Sequence, residues 1–122
     1  MLIYHLAPAE RWFNRPVENE YLPAEYEADG FIHCTAGEEL MLAVANRFYK
    51  QVAGDFVLLA LEEDYLLAPV HWERGVPPDG SSPEADLAPL FPHIYGPINV
   101  DAVQQVLKAR RGADGSFLAW ES

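Results

Sequence analysis

Cysteine is almost missing from the chain, because Cys34 is the single thiol among its 122 residues. One thiol cannot form an intrachain disulfide or build a cysteine-based zinc site. Long apolar runs are missing as well, and the longest, at residues 56–61, is far too short to cross a bilayer. The N-terminal residues have neither the basic nor the apolar segment of a signal peptide. We therefore expect a cytoplasmic protein with no membrane partner.

Basic side chains are scarce. The chain has 8 lysines and arginines against 19 acidic residues, and its formal net charge is −11. A field of that sign repels phosphate backbones, and the basic residues are scattered, with only Arg110 and Arg111 adjacent. The sequence therefore argues against a nucleic-acid partner. A small local pocket for an anionic ligand remains open.

Hydrophobic residues make up 50% of the sequence, enough for a single domain over residues 1–122. The continuous apolar run at 56–61 predicts a central strand buried on both faces. Shorter strands are expected at residues 2–6, 31–34, 69–73, 91–95 and 116–120. Because strands and helices do not alternate regularly, the pattern predicts an α+β fold. We expect a mixed, mostly antiparallel split sheet with two or three helices.

Three segments show helical signals. Pro8 suits the first turn of a short helix at residues 8–14. The stretch from Thr35 to Glu38 has the form of a capping box, which predicts Thr35 as the N-cap of a helix to about Val52. The apolar spacing within residues 101–110 predicts a further helix. Residues 15–29 are expected to be irregular, and residues 74–89, with four prolines, to form a flexible loop or flap.

Three of the four histidines, His5, His33 and His93, stand in short apolar strands beside turns. A polar side chain in such a place needs a partner or opens into a cleft. Each one taken alone is most simply a structural histidine. Because three share the same setting, we predict that they line one cleft on neighbouring strands.

Other candidates surround these histidines. Glu73 shares a strand face with His71. It is either a catalytic acid or base, or simply an exposed carboxylate at the end of a strand. Tyr95 shares a face with His93 and is either a stacking platform or part of the core. Thr35 is a candidate ligand contact as well as a cap, since helix N-termini attract anions. Cys34 is expected to face the core, because neighbouring residues in a strand point to opposite faces.

The motifs occur in a characteristic order. They are Tyr4-His5-Leu6, Asp29-Gly-Phe-Ile-His33-Cys-Thr35, Ala45-Asn-Arg-Phe48, Val70-His-Trp-Glu73 and Phe91-Pro-His93-Ile-Tyr-Gly-Pro97. This series resembles a bacterial family catalogued as domain of unknown function 952, from about residue 2 to about residue 107. That resemblance implies a distant similarity to ADP-ribosyltransferases, whose split sheet holds NAD in a cleft.

The resemblance also implies roles for individual residues. His5 would orient the ribose of NAD, and His33 with Thr35 would flank its nicotinamide. The third site residue would be His93 or Glu73, and Tyr95 would contact the cofactor. The sequence departs from the transferases after His5, where Leu6-Ala7 replaces their usual Gly-Thr. Two other functions remain open, a metal-binding domain with three histidine ligands and a non-catalytic module that binds a small ligand or a protein.

Overall fold

The computed structural model describes residues 1–75 and 90–122, so most of the expected flap at 74–89 lies outside the described residues. The described chain forms three α-helices, α1 (Ala9–Phe13), α2 (Tyr26–Asp29) and α3 (Glu38–Phe48). It forms nine strands, β1 (Leu2–Pro8), β2 (Glu20–Tyr21), β3 (Ile32–His33), β4 (Phe56–Glu62), β5 (Val70–Arg74), β6 (Leu90–Ile94), β7 (Ile98–Asn99), β8 (Val103–Arg111) and β9 (Phe117–Glu121). Short 3₁₀ turns at Glu63–Tyr65 and Val100–Ala102 complete the described elements.

The strands form three antiparallel sheets. The largest has the order β1-β4-β8-β9, the second has the order β3-β6-β5, and β2 pairs with β7. The α+β class with antiparallel strands and three helices is therefore confirmed. The predicted central strand is confirmed as well, because β4 lies between β1 and β8 and is buried from Phe56 to Leu61.

Two apolar cores lie on the two faces of β4. Val57, Leu59 and Leu61 point into a first core that includes Ile32 and Ile94 from the three-stranded sheet. The alternate residues of β4, from Phe56 to Ala60, point into a second core under α3. The four-stranded sheet is therefore the middle layer, with α3 on one side and the three-stranded sheet on the other. Each fully buried aliphatic side chain contributes about 1.5–3 kcal/mol to such cores.

Within the described residues, one backbone bridge links the edges of the two larger sheets, and the edges then diverge. Tyr4 and Thr35 exchange two backbone hydrogen bonds of 2.8 Å in an isolated antiparallel bridge. A continuing ladder would next pair Leu6 with His33, two residues further along each strand. Within the described chain the pairing stops at the bridge, so β1 and β3 diverge beyond it.

The predicted capping box at Thr35 is wrong. α3 begins at Glu38 after Gly37, and no side chain of the described residues caps it. Thr35 is held in the bridge to Tyr4, and its Oγ1 donates to the carbonyl oxygen of Gly37 at 3.1 Å. The helix also ends at Phe48 rather than near Val52. The carbonyls of Tyr49, Lys50 and Val52 accept hydrogen bonds from Arg111 instead.

The helix predicted at residues 101–110 is wrong, because this segment forms β8. Its register against β4 shifts by one residue, with Ala60 opposite Gln105 and Leu61 opposite Val103. The extra residue of this bulge lets Val103 and Val106, three apart, contact the same core. That spacing imitates a helix. Residues 15–29 are also more regular than expected, since they include β2 and α2.

Candidate functional site

The three-stranded sheet brings histidines together on one face. His93 of β6 lies directly opposite His33 of β3 on one side and His71 of β5 on the other. The neighbouring Ile32 and Ile94 point into the first core, so alternation directs the three imidazoles to the opposite, outer face. We call the outer side chains of Phe31, His33, Glu73, His93 and Tyr95 the histidine face.

Glu73 is the centre of this face. Its Oε1 accepts hydrogen bonds from Nδ1 of His93 at 2.9 Å and from the hydroxyl of Tyr95 at 2.5 Å. These bonds, the one from Tyr95 first, hold the pKa of Glu73 below its ordinary value. The same bond raises the pKa of Tyr95. Glu73 is therefore an ionised carboxylate, with its side chain 43% exposed.

The imidazole of His93 is almost fully buried, with 2% of its side chain exposed. Burial lowers its pKa, while Glu73 acts in the opposite direction. An ionised carboxylate only accepts hydrogen bonds, so the hydrogen lies on Nδ1 of His93. A neutral ring with that tautomer has its lone pair on Nε2. The pair is thus a carboxylate that orients and fixes an imidazole, an arrangement typical of acid–base sites.

Aromatic rings cover the pair. Phe31 stacks on His93 with ring centroids 4.1 Å apart and an interplanar angle of 26°. The centroid of the Phe31 ring is also 4.7 Å from that of His33 and 5.7 Å from that of Tyr95. Nε2 of His33 in turn lies 3.1 Å from Oδ2 of Asp29, within hydrogen-bond distance. Sequence reasoning missed Phe31, although its position two residues before His33 places both side chains on one face.

His71 extends the row of histidines toward solvent. It is exposed, and its ring meets Tyr95 edge-on at a centroid distance of 5.2 Å. The predicted strand face shared by His71 and Glu73 is confirmed by the register of β5. Tyr95 is likewise beside His93 as expected, since both contact Glu73.

His5 lies elsewhere. Its side chain shares the side of β1 that carries Ile3 and Ala7 into the first core, and the residue is only 6% exposed. Its Nδ1 is 2.6 Å from the carbonyl oxygen of His33, at the place where the two sheets part. Burial lowers the pKa of His5 to about 4, against the raising effect of that carbonyl. The imidazole is therefore neutral near pH 7.

The predicted cleft lined by His5, His33 and His93 is therefore wrong in this form. His33 and His93 have ring centroids 5.9 Å apart on the outer face. His5 contacts the backbone of His33 and lies on the core side. The reason is geometric: the strand directs the side chain of His33 outward, whereas its carbonyl lies in the plane of the sheet and points toward β1.

Two further candidates are placed away from the histidine face. Cys34 faces the first core as predicted, and burial raises the pKa of its thiol. Thr35 is 3% exposed and is occupied by its bridge to Tyr4 and its bond to Gly37. Thr35 therefore stabilises the junction of β1 and β3, and Cys34 contributes to the first core.

Metal ligation finds no support within residues 1–75 and 90–122. No three histidine, cysteine or acidic side chains of this part of the chain are grouped so that they could hold a metal ion. The alternative of a three-histidine metal site is wrong for these residues, because His5 lies on the core side and His33 and His93 lie on the outer face.

Among the described helices, none is both long and apolar enough to span a membrane.

Comparison with known proteins identifies the family. The family described as protein of unknown function (DUF952) matches residues 6–106. The chain belongs to the DUF952 family. The matched residues include the whole histidine face, whereas His5 lies just before them. No curated protein matches this DUF952 chain.

Solved structures support the fold of this DUF952 protein. It is similar to the protein CC0527 from Caulobacter crescentus. In the X-ray crystal structure the TM-score is 0.75 and the identity is 28%, over 97% of this chain and 94% of that chain. In the solution NMR structure the TM-score is 0.66 and the identity is 30%, over 93% of this chain and 89% of that chain. The described architecture is thus shared across nearly the full length of both proteins.

Proposed function

We propose that this DUF952 domain binds a small ligand with a flat ring on its histidine face, and that the ligand is NAD or a related ADP-ribosyl compound. The observation that supports this is the carboxylate of Glu73, fixed by His93 and Tyr95 beside the ring of Phe31. An oriented carboxylate next to stacked rings suits a ligand that combines a flat base with sugar hydroxyls. The partly exposed Phe31 would stack on the base.

In this proposal Glu73 acts on the ribose. Its Oε1 is occupied by His93 and Tyr95, so Oε2 would accept from a ribose hydroxyl. In an ADP-ribosyltransferase-like reaction, the bond between ribose C1′ and the nicotinamide nitrogen breaks, and its electron pair leaves with neutral nicotinamide. The ionised carboxylate would stabilise the positive charge that develops at C1′. Water or an acceptor hydroxyl would then bond to C1′ and lose its proton to Glu73.

The remaining residues of the proposed site have positioning roles. His93 and Tyr95 hold Glu73, and His33 would lie at the edge of the bound nicotinamide. His5 and Thr35 would act through the backbone, because they hold β3 against β1. This differs from the direct ribose contact that the resemblance implies for His5.

We also propose that the protein is cytoplasmic and that it has no nucleic-acid partner. Three arginines are engaged by main-chain carbonyls: Arg11 donates to Leu22, Arg15 to Trp12 and Glu18, and Arg111 to several residues around the end of α3. These three cations are bound to main-chain carbonyls, which supports the proposal that they do not form a phosphate-binding array.

Calorimetric titration tests the proposal directly. NAD, ADP-ribose and nicotinamide are titrated separately into the wild type, Glu73→Gln and Phe31→Leu. We expect Glu73→Gln to bind NAD about 10–100-fold more weakly, since a hydrogen bond to a charged group contributes about 1.5–3 kcal/mol. Glu39→Gln is the matched control, because Glu39 is exposed on α3 and should leave the affinity unchanged.

The outcomes separate the candidate functions. No heat from the wild type at millimolar NAD, or equal affinities for Glu73→Gln and Glu39→Gln, would refute the proposed ligand site. Binding that is followed by release of free nicotinamide, measured by chromatography, supports a transferase-like enzyme. Binding without release supports the alternative of a non-catalytic ligand-binding module.

A further inference from the structure

Two polar atoms are sealed inside the first core without a hydrogen-bond partner in the described part of the chain. They are Nε2 of His5 and the hydroxyl oxygen of Tyr21. Tyr21 has no exposed surface, and His5 has only 6%. An unsatisfied buried polar group costs about 1–3 kcal/mol, and such groups are rare in native proteins. Two in one core therefore indicate a missing partner.

The two atoms are chemically complementary. The carbonyl oxygen of His33 only accepts, so Nδ1 of His5 carries the hydrogen and Nε2 presents a lone pair. Tyr21 offers a hydroxyl hydrogen and its own lone pairs. The two rings are 5.8 Å apart between centroids and tilted by 51°, and no direct hydrogen bond joins them. A group that bridges them must donate to the imidazole, and it can accept the hydrogen of the phenol.

We propose that Nε2 of His5 and the hydroxyl of Tyr21 form an internal site that holds one water molecule. The water donates one hydrogen to Nε2 and accepts the hydrogen of Tyr21. A single water satisfies both atoms and needs no charge in an apolar core, where Trp12 and Ile98 lie beside Tyr21. The charged groups that act electrostatically on Tyr21 are those of Glu25 and Arg11. Glu25 is exposed, and the guanidinium of Arg11 donates to the carbonyl oxygen of Leu22. An anion would face the lone pair of His5.

The position of the site gives it a structural role. It lies beside the point where β1 and β3 part, with Nδ1 of His5 bound to the backbone of His33. The water therefore fixes the imidazole from the side opposite to its bond with His33. Through that bond it helps to hold the inner edge of the strand that carries the histidine face. The inference stands independently of the proposed ligand.

NMR on the wild-type protein tests the site without any substitution. Long-range ¹H–¹⁵N spectra of the imidazole should show that His5 is neutral with its hydrogen on Nδ1 at pH 7. Nuclear Overhauser spectra should show a cross-peak from a long-lived water to the rings of both His5 and Tyr21. Tyr21→Phe should abolish that cross-peak while His5 keeps its tautomer.

Tyr49→Phe is the matched control, since Tyr49 is a half-buried tyrosine that packs on the second core. It should leave the water cross-peak unchanged. The proposal is overturned by a hydrogen on Nε2, or by a direct bond from Tyr21 to His5 without water. It is overturned equally by a partner from residues 76–89, or by the absence of any water cross-peak in the folded wild type.

Discussion

The two faces of the three-stranded sheet differ completely in chemistry, although their residues alternate along the same strands. The inner face contributes Ile32, Val70 and Ile94 to the first core. The outer face presents three histidines, a glutamate and two aromatic rings in a hydrogen-bonded and stacked group. Because the pleat separates the two sets, the outer face can carry polar and aromatic groups while the inner face supports the fold.

His5 and His93 show the same contrast at single residues. Both are buried histidines, and burial lowers the pKa of both. His5 binds a backbone carbonyl inside the core, whereas His93 binds a carboxylate that is itself 43% exposed. Glu73, the partner of His93, is therefore accessible from solvent. His5 is accessible only when the core opens.

The largest expected effect comes from breaking the inner face. Ile94→Ala removes a fully buried side chain and should lower the free energy of unfolding by about 2–5 kcal/mol. Tyr95→Phe, one residue further on the outer face, should change it much less, because it removes only a hydroxyl at a partly exposed position. Urea unfolding measures both. Equal losses would show that the two faces do not divide structure from function in this way.

A smaller effect is expected from the protonation of His5 in acid. The folded pKa of about 4 is below the ordinary value of 6.5, so the unfolded chain binds the extra proton more readily. The contribution of His5 is therefore complete above pH 6.5 and is lost as the pH falls toward 4. That gap corresponds to on the order of 3 kcal/mol.

The measurement is urea unfolding of the wild type and of His5→Gln at several values between pH 7 and pH 4. His5→Gln cannot take up the proton, so its stability should fall less over this interval than that of the wild type. Parallel pH profiles would show that acid acts on another group and that His5 is not a sealed neutral imidazole.

Local sequence patterns were sufficient for much of the fold. The apolar run of β4 needs burial on both faces, so its place in the middle of a sheet followed from the residues themselves. The error at β8 arose because a bulge spaces Val103 and Val106 three residues apart, and a bulge depends on the partner strand. The capping prediction at Thr35 is wrong because pairing with Tyr4, a long-range contact, outweighs a local capping signal.

The candidate site was predictable only in part, for a related reason. Alternation placed His71 with Glu73 and His93 with Tyr95, and it would have added Phe31 two residues from His33. It could not supply the register that sets His33 and His71 opposite His93, since register depends on strand partners. Alternation also could not show that an apolar core covers each face of β1. For that reason the sequence predicts a cleft position for His5, although the residue lies in a core.

The smallest expected effect sharpens the description of the outer face itself. The hydrogen bond from Tyr95 is the largest cause of the lowered pKa of Glu73, and the bond from His93 is the next. Tyr95→Phe should therefore raise the pKa of Glu73 toward its ordinary value of 4.5 without restoring it fully. Carboxyl ¹³C NMR titration of Glu73 measures the change, with Glu39 as an exposed internal reference in the same sample. Because a lowered pKa stabilises the fold above pH 4.5 and the stabilisation is lost as the pH falls, Tyr95→Phe should also weaken the acid dependence slightly. If Glu73 titrates at the same pH in both proteins, Tyr95 does not hold the carboxylate, and the proposed site loses one of its two supports.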